Sequence, residues 1–355
     1  MVLQKNGHDV TTFIHAGSKF VNGNQLSYPL KVLPDSYGYD GQFYYRLSQN
    51  PFTDQRIDSG IALDNPQYRQ QRILYPFITW LFSFNPSFTP EIMIGINLLC
   101  LLVIAFYGGI LAKKFNKHAL WGISFVLWPG FLFTFSRNLT EIVAITFLLS
   151  GITHFFYKQY VLSGLLLSLA ILGKETTLLV PISMCIAMIT DYKKINKSVL
   201  FAGLLPVLVY GSWQLWLSQN WSDKWILGIQ NNIGVPFLGI ISFVRKLHFL
   251  PKTLQFGSVI ELILVITFIV FTTISIRKTS IPKFLKISWL LYCMLVVSLT
   301  STVWVEDIAF MRAISELFTV GTILLIYTNS NIFRYILPFG MIVWFYMCID
   351  IIKFR

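Results

Sequence analysis

Ten long apolar runs, at residues 91–112, 119–136, 139–157, 160–173, 176–190, 198–218, 257–276, 287–304, 313–327 and 332–351, leave this chain few ways to fold. A helix needs about 20 mostly apolar residues to cross a bilayer, and backbone in hydrocarbon must satisfy its own hydrogen bonds. Runs of this kind predict helices bundled in lipid. The composition agrees, with 55% of residues hydrophobic, only 12% charged and a mean hydropathy of +0.62. The expected class is an all-α polytopic membrane protein with about ten spanning helices.

The net charge of +12 is spread over short clusters between the runs. Lys113/Lys114/Lys117, Lys158, Lys193/Lys194/Lys197, Arg277/Lys278/Lys283/Lys286 and Arg334 alternate with turns poorer in Lys and Arg. By the positive-inside rule the basic turns are cytoplasmic. No basic face or stacking motif accompanies the charge, so no nucleic-acid partner is expected. Residues 1–90 then lie outside, with the turns near 137, 174, 219–256 and 305–312. The 219–256 connection carries Lys224, Arg245, Lys246 and Lys252 against the rule, which long loops obey weakly. Within it, 237–250 has the composition of an interfacial helix.

Residues 1–72 are polar and hold six of the sixteen acidic residues, with no basic and apolar signal-peptide pattern. Residues 72–84 are apolar over too short a stretch to span, and carry Pro76 and Trp80, so they are expected to lie along the interface. The chain thus divides into an extracytoplasmic first loop, 1–90, and one helical membrane domain, 91–355. An external first segment without its own span leads us to expect a further helix upstream. Cys100, Cys185, Cys293 and Cys348 each stand alone in apolar runs and read as packing residues. The five histidines are dispersed and form no zinc pattern.

One polar stretch stands out, Tyr37-Gly38-Tyr39-Asp40-Gly41-Gln42-Phe43-Tyr44-Tyr45-Arg46, with a single carboxylate among five aromatic rings. On the same predicted side lie Arg137 and Glu141, four apart and on one face if helical, then Lys174 and Glu175, then Glu306, Asp307 and Arg312. Two readings compete for these turns. They are local ion pairs capping helices, each worth little, or they line a polar site, the usual role of charges at membrane depth. Three such turns facing Asp40 favour the site. A carboxylate that deprotonates a hydroxyl, beside Arg and Lys that hold phosphate charge, suits group transfer from a lipid phosphate. The rings, Tyr39 and Tyr44 among them, either stack on sugar or belong to the interfacial aromatic belt.

These residues resemble the GT-C superfamily of polytopic glycosyltransferases, which use polyprenyl-phosphate sugars and carry a catalytic acid in the first extracytoplasmic loop. Tyr39-Asp40-Gly41-Gln42-Phe43-Tyr44-Tyr45 is similar to that loop, Leu74-Tyr75-Pro76-Phe77-Ile78-Thr79-Trp80 to its interfacial helix, Phe135-Ser136-Arg137-Asn138-Leu139-Thr140-Glu141 to a Ser-Arg turn with a following acid, and Leu169 to Thr177 to a Lys-bearing turn. The order of motifs over about residues 37–190 resembles the polyprenyl-phosphate-mannose type. Tyr39–Tyr45 with 63–76 resembles a bacterial group associated with cell-surface glycopolymer formation. Relatives often pair two acids where this chain has Asp40 and Gly41.

The resemblance implies an inverting glycosyltransferase in a bacterial plasma membrane with its active site on the extracytoplasmic face. Its partners are a polyprenyl-phosphate sugar donor, a glycan or lipid-linked acceptor, and membrane lipid. Asp40 is expected as the base, with Arg72, Arg137, Lys174 and Arg312 on the lipid phosphate and Glu141, Glu175, Tyr39 and Tyr44 around the substrate. A divalent ion, Mg or Mn, on Asp40 and Glu141 is left open, because Gly41 stands in the second acid's place. A flippase for lipid-linked sugars is one alternative. It predicts polar residues at mid-membrane and two related halves, whereas Glu261 and Glu316 read as near span ends. A non-catalytic subunit of a polysaccharide assembly complex is the other.

Overall fold

The computed structural model describes residues 7 and 9–354 apart from 191–196, 222–231, 248, 250–251, 278–280, 306–308 and 329–332. Helices dominate, and their positions follow the apolar runs. The run 160–173 is matched by helix Tyr160–Gly173, and 91–112 by helix Thr89–Lys114 with Lys113 and Lys114 in its last turn. Cations there complement the helix dipole.

Among the described residues three helices are long and apolar enough to cross a membrane, Pro86–Lys114, Lys197–Asn220 and Gln255–Ile276. A fourth span is formed if Ala119–Phe125 and Pro129–Ser136 count as one, although they meet at 61°. Pro129 lacks an N–H and restricts the residue before it, which explains the break. The long helices turn apolar side chains outward, for example Leu98, Leu99, Leu102 and Phe106 on Thr89–Lys114. Such a surface suits hydrocarbon and not water.

Length and composition therefore support three or four spans among the described residues where the apolar runs predict ten. The difference has two physical sources. Helices of 16, 14, 11 and 13 residues, Glu141–Phe156, Tyr160–Gly173, Leu179–Ile189 and Ser315–Tyr327, are too short for a straight crossing. Moreover, Glu141–Phe156 and Ser315–Tyr327 are buried along almost their whole length, so their apolarity serves the protein core. A buried core helix and a lipid-facing one share the same sequence pattern. The run 287–304 likewise divides into Lys283–Ser298 and Ser301–Val305, separated by an extended Leu299. Glu261, expected near an end, sits buried inside Lys252–Ile276.

The first segment is no loose loop. Ala16–Gly17 pairs in parallel with Val32–Leu33, and Ile57–Asp58 antiparallel with Ile61–Ala62. Between them helix Gly41–Gln49 buries eight of its nine residues. The Gln42 amide clamps the approach to that helix, accepting from Gly17 N at 3.0 Å and donating to the Tyr37 carbonyl at 2.8 Å. Ile14, Phe43 and Tyr44 share one hydrophobic cluster with Leu148 and Phe318 of the helical bundle. The 72–84 stretch contains helix Leu74–Phe82, which buries Leu74, Tyr75 and Thr79 and turns Trp80, Leu81 and Phe82 outward. In 237–250, helix Leu238–Leu247 buries Phe243 and exposes Leu238, Ile241 and Val244, while 248 and 250 lie outside the described residues.

Candidate active site

Asp40 immediately precedes helix Gly41–Gln49, and both of its oxygens are engaged. Oδ1 faces Arg69 Nη1 at 2.7 Å, and Oδ2 accepts from Arg312 Nη2 at 2.8 Å. Arg69 is delivered by a short helix, Pro66–Gln70, whose start is written in the sequence. Asn65 caps it by accepting from Tyr68 N, and Pro66 opens the first turn. Asp64 then grips Arg69 from the other side, Nε to Oδ1 at 2.8 Å and Nη2 to Oδ2 at 2.7 Å. Arg312, at the end of Ala309–Ala313, gives its second amino group to Glu141 Oε1 at 3.0 Å. The result is a row of alternating charges, Asp64, Arg69, Asp40, Arg312 and Glu141. Aromatic faces complete it, Arg69 over Phe43 at 4.5 Å and Arg312 over Tyr39 at 5.1 Å.

A second pair adjoins. Arg72 donates to Glu175 through Nε at 2.9 Å and Nη2 at 2.6 Å, and also reaches the hydroxyls of Tyr68 and Tyr44. Asn232 Nδ2 donates to the same Tyr68 hydroxyl at 3.1 Å.

Lys174 belongs to a third, deeper network. Its Nζ donates to Glu316 Oε2 at 3.0 Å and to the carbonyls of Arg312 and Ala313 at 3.2 and 3.1 Å. Thr176 donates to the other Glu316 oxygen at 2.8 Å. Lys174 thus fixes the backbone from which the Arg312 side chain projects.

The three groups share a cavity of about 420 Å³. Asp40, Arg69, Arg72, Glu141, Lys174, Glu175 and Arg312 supply its polar wall, and Leu178, Leu179, Leu295, Leu299 and Val303 its apolar one. Glu141 lines the cavity, and its Oε2 is buried without a hydrogen-bond partner among the described residues.

Burial alone raises the Asp40 pKa, but the charges of Arg69, Arg312 and Arg72 outweigh it and hold the carboxyl well below its usual range. Burial pushes the Tyr44 phenol up to about 12, so it stays neutral.

Of the residues expected at the site, Asp40, Arg72, Glu141, Lys174, Glu175 and Arg312 line this cavity. Tyr39 and Tyr44 stand behind it, against Arg312 and Arg72. Arg137 does not line it. Its side chain is buried over the Phe133 ring at 5.6 Å, and its carbonyl packs against the start of helix Gly41–Gln49. Glu306 and Asp307 lie outside the described residues. The adjacent pairs allowed by the sequence, Arg137 with Glu141 and Lys174 with Glu175, give way to partners 171, 142 and 103 residues distant for Glu141, Lys174 and Glu175. Sequence reasoning did not place Arg69, Tyr68, Asn232 or Glu316 at the site, Glu316 being read only as near a span end. Arg69 had a local signal, since the Asn65-Pro66 helix start places it one turn before Arg72.

The acids do not fit the divalent ion. Such an ion takes several oxygen ligands at once, yet both oxygens of Asp40 and of Glu175 serve guanidinium groups, as does one of Glu141. No group of three His, Cys, Asp or Glu suited to a metal occurs among the described residues. Gly41 leaves no room for a second acid. A Cβ there meets the Arg137 carbonyl oxygen at 2.2 Å and that of Ile14 at 2.9 Å. No family model, no curated protein and no solved structure matches the chain in the comparisons with known proteins.

Proposed function

We propose that this chain is an integral membrane glycosyltransferase that moves a sugar from a polyprenyl-phosphate donor to a hydroxyl acceptor in cell-surface glycan synthesis. One observation carries the proposal: a single cavity of about 420 Å³ in which Asp40 sits among Arg69, Arg72 and Arg312 while leucines form part of the same wall. A lipid phosphate has both halves of that chemistry, an anionic head and an apolar tail.

In the transfer, Asp40 takes the proton of the acceptor hydroxyl, and the oxygen forms a bond to the anomeric carbon. The bond from that carbon to the phosphate oxygen breaks, leaving its electron pair on the phosphate. Arg69, Arg312 and Arg72 hold the charge of the departing polyprenyl phosphate. Attack opposite the leaving group inverts the anomeric centre. Glu141 Oε2, buried and without a partner among the described residues, accepts from a hydroxyl of the bound sugar or acceptor. In this proposal the GT-C-like bundle crosses the plasma membrane through its long apolar helices, with shorter and broken ones packed among them, and the cavity lies on the extracytoplasmic side.

The test is transfer in proteoliposomes from a panel of radiolabelled polyprenyl-phosphate sugars to acceptors extracted from cell envelopes. Wild-type protein transfers sugar from at least one donor, and Asp40→Asn lowers the rate by roughly 10²–10⁴-fold, the usual share of a general base. Absence of transfer across the panel by correctly folded wild-type protein overturns the assignment.

A further inference from the structure

Asp40 stands where an anion belongs. Its two oxygens bridge Arg69 Nη1 and Arg312 Nη2 at 2.7 and 2.8 Å, from two elements far apart in the chain. Each guanidinium is also held from its far side by a second carboxylate, Arg69 by both oxygens of Asp64 and Arg312 by Glu141. If Asp40 rotates away, neither arginine loses its anchor. Two charged donors would remain fixed around the space that the carboxylate vacates, the fork geometry that guanidinium groups offer to phosphate. The same two bonds make Asp40 a poor base, because a carboxylate saturated by cations has little affinity for another proton.

We infer that Asp40 is a latch: the phosphate group of a lipid phosphate ester, the sugar-bearing diester in the transfer and the monoester as its product, binds between Arg69 and Arg312 by displacing the Asp40 carboxylate, which only then is free to act on a hydroxyl. This rests on the glycosyl-transfer proposal for the role of the freed carboxylate, but the exchange of anions stands on the two arginines alone. It makes Arg69 a phosphate-binding residue, positioned by Asp64. It also orders events, since a hydroxyl entering before the phosphate meets a carboxylate that is already occupied.

The exchange predicts an inverted effect of substitution. A residue that competes with the ligand for its own binding site weakens ligand binding, so removing its charge must strengthen it. Isothermal titration of the detergent-solubilised full chain with farnesyl phosphate, with farnesol as the uncharged control, measures this directly. Asp40→Asn binds farnesyl phosphate about ten-fold or more tighter than wild type, while farnesol binding is unchanged. Equal or weaker binding by a folded Asp40→Asn protein overturns the latch. Should that variant not fold, Arg69→Met decides: farnesyl phosphate affinity falls by about ten-fold or more, and an unchanged affinity overturns the inference. The two proposals fail separately. Tighter binding by Asp40→Asn without sugar transfer by wild type leaves the latch and removes the glycosyltransferase, and transfer without tighter binding does the reverse.

Discussion

Arg312 Nη2 donates to Asp40 Oδ2 at 2.8 Å across 272 residues of chain, joining the first polar segment to a short helix near the C-terminal end. The same guanidinium holds Glu141. Arg312→Met leaves the Glu141 carboxylate without its only hydrogen-bond partner among the described residues and Asp40 in contact with one cation in place of two. Breaking a buried charge pair by removing one side costs about 3–5 kcal/mol. Thermal unfolding in detergent should show a clear loss for Arg312→Met and a smaller one for Arg312→Lys, which keeps the charge but not the fork.

The start of helix Gly41–Gln49 tolerates no side chain at its first position, because the Arg137 carbonyl lies 2.2 Å from where a Cβ would stand. Gly41→Ala should lower stability by roughly 1–3 kcal/mol, the range for overpacking. Gly41→Asp should lower it further and create no dependence on Mg or Mn. A Gly41→Ala protein as stable as wild type would show that the two segments are free to separate.

Lys174 and Glu316 form a buried pair whose side chains are 3% and 1% exposed. Removing one charge strands the other, so Lys174→Met and Glu316→Gln should each be strongly destabilising, on the order of 3–5 kcal/mol. The double variant Lys174→Met/Glu316→Met should recover much of that loss, since apolar replacements of buried pairs are often close to neutral. Recovery of stability without recovery of transfer would separate folding from the placement of Arg312, whose carbonyl Lys174 holds.

For acidity, burial favours the neutral Asp40 acid, but Arg69, Arg312 and Arg72 prevail and depress its pKa. A carboxyl lowered by folding contributes stability that is complete above its unfolded pKa, about 3.9, and is lost as pH falls toward the depressed folded value. In kinetics, the acid limb of kcat/KM, which reports the free enzyme, should lie below the ordinary carboxylate range and rise in Arg69→Met. The limb in kcat, which reports the bound complex, should lie higher than that of kcat/KM if phosphate frees the carboxylate. Coincident limbs in wild type would count against the latch.

The distribution of Lys and Arg predicts the membrane sidedness of this chain. A reporter fused after Lys197 should score cytoplasmic, as the cluster Lys193/Lys194/Lys197 requires. An external score would place Asp40 on the wrong face for an extracytoplasmic acceptor.

The sequence by itself determined where most of the apolar helices run, though not the breaks inside 119–136 and 287–304, and which short polar turns interrupt them. Apolar periodicity and chain breaks are local, so the run 160–173 and helix Tyr160–Gly173 coincide, and the Asn65-Pro66 start announces the helix that carries Arg69. The choice of Asp40, Arg72, Glu141, Lys174, Glu175 and Arg312 as one group was legible too, because charges beside apolar helices have few places to go except a shared cavity. Tertiary structure alone decided the pairing. Arg312 reaches Asp40 and Glu141, Arg72 reaches Glu175, and Lys174 reaches Glu316, none of them a neighbour in sequence. It also decided that Arg137 packs on Phe133 and blocks Gly41 with its carbonyl, and that two apolar runs are core helices. The reason is common to all of these: a residue's type fixes which interactions it needs, whereas its partner is fixed by which distant elements the packed bundle brings within about 3 Å.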